Sequence, residues 1–221
     1  MWAKITCRNY RCFPDSSPLC FDLRPGISAF VGVNNSGKSS ILKFFYEFRE
    51  LWRALSNMNN ILDPLNHRVT GTSITGVSDT QEIFSNENNR DITITFDVIP
   101  EDDEFANWLF VDRLGVTLSR ESLGFTLDLW LNGKKISADA SFEPVHHDVL
   151  MVKGEKTDLR PLFDYFISLS EMFYIGPFRN ALNLDGANPY FDLSVAKPSL
   201  RNGTIIKPGL KRVRTNSFRT L

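Results

Sequence analysis

Hydrophobic and polar positions change period several times along the chain, and each change marks an element. "MWAKITCRNYRCF", residues 1–13, alternates as a strand does, and "LCFDLRPG", Leu19 to Gly26, reads as its neighbour, turned at Pro25-Gly26. "ISAFV", Ile27 to Val31, is a short apolar run of the kind a buried strand needs. After Ser39 the period becomes helical. Ile41, Phe45, Phe48, Trp52 and Leu55 recur at spacings of four, three, four and three, which predicts one long helix reaching about Asn59. Residues 60–90 are rich in Asn, Ser, Thr and Gly and predict a surface loop with a short helical piece around "TQEIF".

Alternation then returns in "DITITFDVIP" from Asp91, "GVTLSRE" from Gly115 and "GFTLDLWLNGKKIS" from Gly124. In the last, Asn132-Gly133 between alternating flanks is a two-residue hairpin signal, so residues of about 91–137 predict an antiparallel meander. "DLRPLFDYFISLSEM", Asp158 to Met172, has helical spacing with Pro161 in its first turn, and "FYIGPFRN" from Phe173 reads as a buried strand ending in a functional turn. That helix and strand occupy about 158–180, and no internal repeat is visible. The order predicts an α/β fold: a mixed central sheet around the stretch after Val31, with the meander beside it.

Composition narrows the class. With 221 residues, 42% of them hydrophobic, the chain can bury a real core as one large domain or a domain with a small subdomain. Cys7, Cys12 and Cys20 lack the paired spacing of a zinc site and are expected to be reduced core thiols. No stretch approaches the roughly 20 apolar residues of a membrane span, and the N-terminus has no basic-then-apolar signal pattern. A soluble cytoplasmic protein without a membrane partner is expected.

The chemistry concentrates in "FVGVNNSGKSSILKFF", residues 30–45. Gly32-x-x-x-x-Gly37-Lys38-Ser39 fits the phosphate-loop pattern, with an expected strand before it and a helix after it. Gly32 and Gly37 let backbone amides turn inward, and a helix starting near Gly37 aims its positive end at a phosphate. Lys38 is expected to reach the β- and γ-phosphates of a nucleotide, and the Ser39 hydroxyl to ligate magnesium. Asn34 and Asn35 tolerate left-handed backbone and suit a nest of amides, and Ser36 and Ser40 complete the expected nucleotide-binding set.

The flanks narrow the family. "ITCRNYRCF", then "FDLRPGISAFVGVNNSGKSSIL", then "FYIGPFRN" together resemble the N-terminal half of the ATPase heads in the SMC, RecF and OLD-nuclease branch of the ABC-type ATPases, over roughly residues 1–195. Proteins of this kind are often described as AAA family ATPases, and many belong to DNA repair or anti-phage systems. The resemblance implies an ATP-binding head that uses Mg2+, dimerises head to head around two nucleotides and serves a DNA-related protein. It places Arg11, after the Asn-aromatic pair, near the nucleotide, and makes Arg179 a candidate for nucleotide-sensing or interface contacts. An arginine at a strand end is also commonly just solvated or salt-bridged, and both alternatives stand.

Two features of such heads are missing from these residues. No run of four apolar residues ends in Asp-Glu; "ITITFDVIPEDDE" is the nearest imitation, but it alternates Thr with apolar residues and reads as a half-exposed strand followed by an acidic turn. "SLSEM" and "SLSRES" lack the glycine pair of a signature motif, so catalytic residues are unassigned and hydrolysis by this chain alone is expected to be deficient. His146-His147-Asp148 has no third ligand at a suitable spacing and reads as a solvated turn.

Charge divides the chain at about Ala196. Residues 196–221 hold seven basic side chains and no acidic one, whereas the whole chain has a formal net charge of −1, so the remainder carries −8. One reading makes this tail a nucleic-acid arm of an adaptor, with salt-dependent DNA binding lost on its deletion. The other makes it out-of-frame sequence. With one permitted codon for each residue from Val195 and a single G restored there, the alternative frame can encode an ordinary mixed-charge amphipathic helix. On that reading the tail is disordered, the chain is the truncated product of a longer ATPase gene, or a non-functional fragment of it, and a head-to-head dimer needs the missing C-terminal half.

Overall fold

The computed structural model describes residues 2–99 except 25, 27 and 35, residues 111–136, and residues 142–172 except 153. Ten strands and four α-helices are built from these residues. β1 (Trp2–Arg8) pairs antiparallel with β2 (Leu19–Leu23), as the alternation predicts. β3 (Thr70–Gly71) lies within the loop, and the meander is β4 (Ile92–Ile99), β5 (Val111–Leu118) and β6 (Gly124–Leu131), followed by β7 (Lys134–Lys135). All of them join in one seven-stranded sheet of order β2-β1-β4-β5-β6-β3, with β7 on β6 and every described pair antiparallel. The meander is continuous with β1–β2, because β4 pairs directly with β1.

One face of this sheet is apolar because strand side chains alternate. Ile5 and Cys7 of β1, Ile92, Ile94 and Phe96 of β4, and Val116 and Leu118 of β5 are all buried. β5 keeps both Val111 and Leu114 in the core, three residues apart, by a bulge: Val111 faces Leu131 while Arg113 faces Trp130. Asp112, the extra residue, accepts from the Gly133 amide at 2.7 Å. That bond ties the bulge to the β6–β7 hairpin, where Asn132 (φ 49°) and Gly133 (φ 75°) adopt the left-handed pair expected of Asn-Gly.

The predicted long helix is two, with a third beginning at its end. α1 (Lys38–Glu47) gives way at Phe48, with φ −90° and ψ 16°, to α2 (Arg49–Leu55). Phe48 still accepts from the Trp52 amide at 2.9 Å, so the apolar face runs on through the irregularity, and Ile41, Phe45, Phe48, Trp52 and Leu55 are all buried as the spacing predicts. α3 (Met58–Leu65) lies mostly in residues expected to be loop. Its start is set by Asn57, whose side chain accepts from the Asn59 amide at 2.9 Å, and Met58, Ile61 and Leu65 turn inward. The helical piece at "TQEIF" is a 3-10 turn, Thr80–Ile83.

α4 (Arg160–Ser170) follows the predicted span, with proline in its first turn, and the Asp158 carboxylate accepts from the Arg160 amide at 2.8 Å. Before it, β8 (Phe142–Pro144), β9 (Val149–Val152) and β10 (Glu155–Asp158) form a small antiparallel sheet that the sequence did not predict, because strands this short carry too few positions to show a period. His146 and His147 are exposed in the turn between β8 and β9.

Two expectations need correction. Ser28 to Val31 lies outside any strand, and Val31 is 96% exposed. A buried strand must pair its backbone groups, and none of the described strands pairs with this run. The strand expected in "FYIGPFRN", together with Arg179 and the tail at 196–221, lies outside the described residues. The thiols also differ from expectation. All three are free, but only Cys7 is buried, which pushes its thiol well above the ordinary cysteine range, while Cys12 and Cys20 are exposed. Cys20 sits opposite Thr6, on the face of β1 that Cys7 does not share.

An aromatic seam closes the core. Phe44 lies edge-on to Tyr10, Phe45 and Phe48, and Trp52 packs on Phe44, Phe48, Phe96 and Phe166. The helix carrying the phosphate-loop residues is thus bound to the sheet by rings along its inner face. Among the described residues no helix is long and apolar enough to cross a membrane.

Candidate functional site

The phosphate-loop residues gather at the start of α1. Gly37 takes φ +85°, which glycine adopts freely, and a Cβ there would stand 2.4 Å from Cζ of Phe13 and 3.1 Å from Sγ of Cys12. Because Gly37 offers no side-chain cap and the first turn holds no acidic residue, the positive end of α1 meets no protein carboxylate of its own. Ile41 donates its amide back to Gly37 O at 3.0 Å, closing the first helical turn.

Lys38 folds back along the loop. Its ammonium donates to Gly32 O at 2.7 Å and Val33 O at 2.5 Å, with Ser36 Oγ at 3.4 Å, while the Ser36 amide reaches Val33 O at 3.3 Å. The loop is wrapped around its own cation. Gly32, Asn34, Ser36 and Ser39 are exposed, Gly37, Lys38 and Ser40 are half-buried, and Asn35 lies outside the described residues. The Ser39 hydroxyl, on the second residue of α1, is thus open to solvent beside the ammonium's residue.

Beneath the loop lies the turn that follows β1. Asn9 (φ 61°) and Arg11 (φ 48°) both adopt left-handed backbone, which costs a side-chain-bearing residue energy and persists only where surroundings fix it. They are fixed: Arg11 donates its amide to Ile83 O at 2.8 Å, Ser85 donates to Asn9 O at 2.8 Å, and the buried Asn9 amide group donates to Asp91 O at 3.0 Å. From this turn Tyr10, Cys12 and Phe13 reach the start of α1. Cys12 Sγ is 3.8 Å from Ser40 Oγ, and the Tyr10 hydroxyl is 3.1 Å from Ser40 O.

Arg11 points along α1 to its other end. Its Nη2 and Nε donate to the two carboxylate oxygens of Glu47 at 2.5 and 3.2 Å, and the Tyr10 hydroxyl donates to Glu47 Oε2 at 2.7 Å. Burial works against the charge on Arg11, but the hydrogen bond and charge of Glu47 outweigh it and raise its pKa above the ordinary value. Burial, then the charge of Glu47, raises the Tyr10 phenol well above its ordinary pKa, so it remains a neutral hydroxyl. Tyr10 and Glu47 were not singled out in the sequence. The available signal was a carboxylate three residues after Phe44 and four before Leu51, apolar positions outside the Ile41–Leu55 stripe, and a carboxylate buried among apolar neighbours demands a charged partner.

A family model described as an AAA ATPase domain matches residues 1–169. The chain belongs to the AAA ATPase domain family. The α/β phosphate-loop ATPase fold expected from the sequence is the fold of this family, and ATP is its nucleotide. A comparison with curated proteins finds no match. Among solved structures, a chain reported under the words "Structural biochemistry of ATP-driven dimerization and DNA stimulated activation of SMC ATPases" is similar at 12% identity, with 78% of this chain and 80% of that chain covered and a TM-score of 0.32.

The two glycines of this AAA ATPase domain's loop carry different expectations. Gly37→Ala puts a Cβ into left-handed backbone and against the Phe13 ring, so it should cost about 1–2 kcal/mol from the backbone alone. At Gly32 a Cβ would meet the Ser36 side chain, with Oγ at 2.8 Å and Cβ at an ordinary 3.6 Å, and that hydroxyl can rotate away. Gly32→Ala should therefore change stability by less than about 0.5 kcal/mol. Urea midpoints of the two variants check the contrast.

Proposed function

We propose that this AAA ATPase domain binds ATP with magnesium through Gly32 to Ser40 and serves as the nucleotide-binding head of a cytoplasmic DNA-repair or anti-phage protein. The observation that carries the binding reading is the Lys38 ammonium, held within the loop by Gly32 O and Val33 O at the head of an uncapped helix. A triphosphate arriving there meets a positive side chain and a helix amino end that no acidic residue of the first turn neutralises. Asn34 and Ser36 are exposed in the loop, Ser40 follows in the first turn of α1, and Asn35 belongs to the same binding set by its place in the motif.

The residues present fit a magnesium-bound triphosphate. Ser39 offers an exposed hydroxyl in the first turn of α1 that would hold magnesium, and the ion would supply positive charge to offset that of the phosphates. Ser39→Ala should therefore erase the gain in ATP affinity that magnesium gives the parent, leaving its affinity close to that measured with chelator. An unchanged magnesium dependence would remove Ser39 from the site.

The DNA-related role and a head-to-head dimer around two nucleotides rest on the resemblance of "ITCRNYRCF" and "GVNNSGKSS" to SMC, RecF and OLD-type heads. Hydrolysis by these 221 residues alone should be near zero. The strand nearest to an acidic catalytic strand, β4, places Asp97 in an ion pair with Arg113 on the outer face of the sheet. Equilibrium binding of labelled ATP by the parent and by Lys38→Ala tests the reading, and equal binding by the two would refute it.

A further inference from the structure

The half-buried Arg11 and the buried Glu47 and Tyr10 form one unit that touches both ends of α1. The Glu47 side chain is 4% exposed and belongs to the helix's last residue, while Tyr10 also approaches Ser40 O in the helix's first turn. Cys12 and Phe13, the next residues of the same turn, abut Gly37. A single turn of backbone, held in left-handed conformations at Asn9 and Arg11, therefore fixes the position of α1 along its axis at three points.

We propose that Arg11 and Glu47, with Tyr10, are positioning residues for the phosphate loop, and that the Arg11 guanidinium stays on Glu47 instead of contacting the nucleotide. This rests on the reading that the loop binds ATP. The argument is electrostatic. Drawing Arg11 onto a phosphate would leave a buried carboxylate with only the Tyr10 phenol as partner, and an uncompensated buried charge is strongly unfavourable. The bidentate fork also fixes geometry in a way that a single charged contact does not. The amides at the start of α1 then face the phosphate site because the helix can neither slide nor roll on the turn beneath it. Strained backbone maintained next to a binding loop is the accompanying sign, since such conformations survive where the surroundings over-determine them.

The test measures ATP·Mg affinity of the full chain and four variants, at a temperature where circular dichroism shows each one folded. Glu47→Gln and Arg11→Gln should each weaken ATP by about tenfold, equivalent to about 1.4 kcal/mol. The double variant should lose no more than either single one, because two neutral amides leave no unpaired charge. Tyr10→Phe keeps the ring contacts with Phe44 and Phe48 and should weaken ATP by about two- to tenfold through loss of its hydroxyl. A purely stabilising unit would leave the affinity of every folded variant at the parent's value, which overturns the proposal. If Arg11 contacts phosphate, Arg11→Gln weakens ATP while Glu47→Gln leaves it unchanged or tightens it, and that too overturns it. Absence of binding by the parent refutes the ATP reading itself and the proposal with it, whereas a binding parent with unaltered variants refutes the proposal alone.

Discussion

Trp52→Ala should cost about 3–5 kcal/mol of folding free energy, a large part of what a domain of this size possesses. The indole is fully buried and joins three elements that approach from different directions. It packs on Phe44 and Phe48 of the α1 segment at 5.4 and 5.8 Å, stands perpendicular to Phe96 of β4 at 5.7 Å, and stacks on Phe166 of α4 at 6.3 Å. Its N–H donates to Phe45 O at 3.1 Å, so truncation removes a hydrogen bond as well as the ring. No neighbouring side chain is free to collapse into the space, because each is itself held edge-on to another ring. Trp52→Phe, which retains much of the volume, should lose considerably less. Urea denaturation compares the three proteins, and a loss below about 1 kcal/mol for Trp52→Ala would contradict the packing described here.

Lys38→Ala should weaken ATP binding by at least about 100-fold while leaving the urea midpoint nearly unchanged. Charge-assisted hydrogen bonds to phosphate are each of order 1.5–3 kcal/mol, and a decade of affinity is about 1.4 kcal/mol. The side chain makes its polar contacts to the carbonyls of Gly32 and Val33 in an exposed loop, so its loss uncovers no buried group. Binding and stability thus separate at Lys38, whereas at Trp52 they fall together. The contrast matters because α1 is at once a core helix and the base of the phosphate loop.

What could be seen in the sequence was local. β1, the meander, the Asn-Gly hairpin and α4 each declare themselves through a period or a turn residue within a dozen positions, and the phosphate loop through glycine spacing. The break at Phe48 was hidden because the apolar spacing continues through it. α3 was hidden because Asn59, Asn60 and Pro64 dilute its helical character, although Asn57 before Met58, Ile61 and Leu65 is a capping signal in retrospect. Ile27 to Val31 has the composition of a buried strand, but composition cannot supply the neighbouring strand that burial requires. The bulge at Asp112 and the Tyr10–Glu47–Arg11 unit depend on residues more than twenty positions apart, and sequence alone does not bring those together.

Glu47 shows how the two levels combine. Its burial and its partners are structural observations, and they are what the proposed positioning role of Arg11 rests on. The resemblance to ATPase heads placed Arg11 near the nucleotide. The turn does lie against the loop through Cys12 and Phe13, yet the guanidinium is joined to the far end of α1.

The central claim is that the nucleotide's phosphates sit at the start of α1, and hydrogen–deuterium exchange of the chain with and without saturating ATP·Mg addresses it most directly. Peptides covering Gly32 to Ser40 should exchange more slowly in the presence of nucleotide, and that protection should vanish in Lys38→Ala. Saturable ATP binding with protection confined to other segments, or the same protection in Lys38→Ala as in the parent, would contradict it.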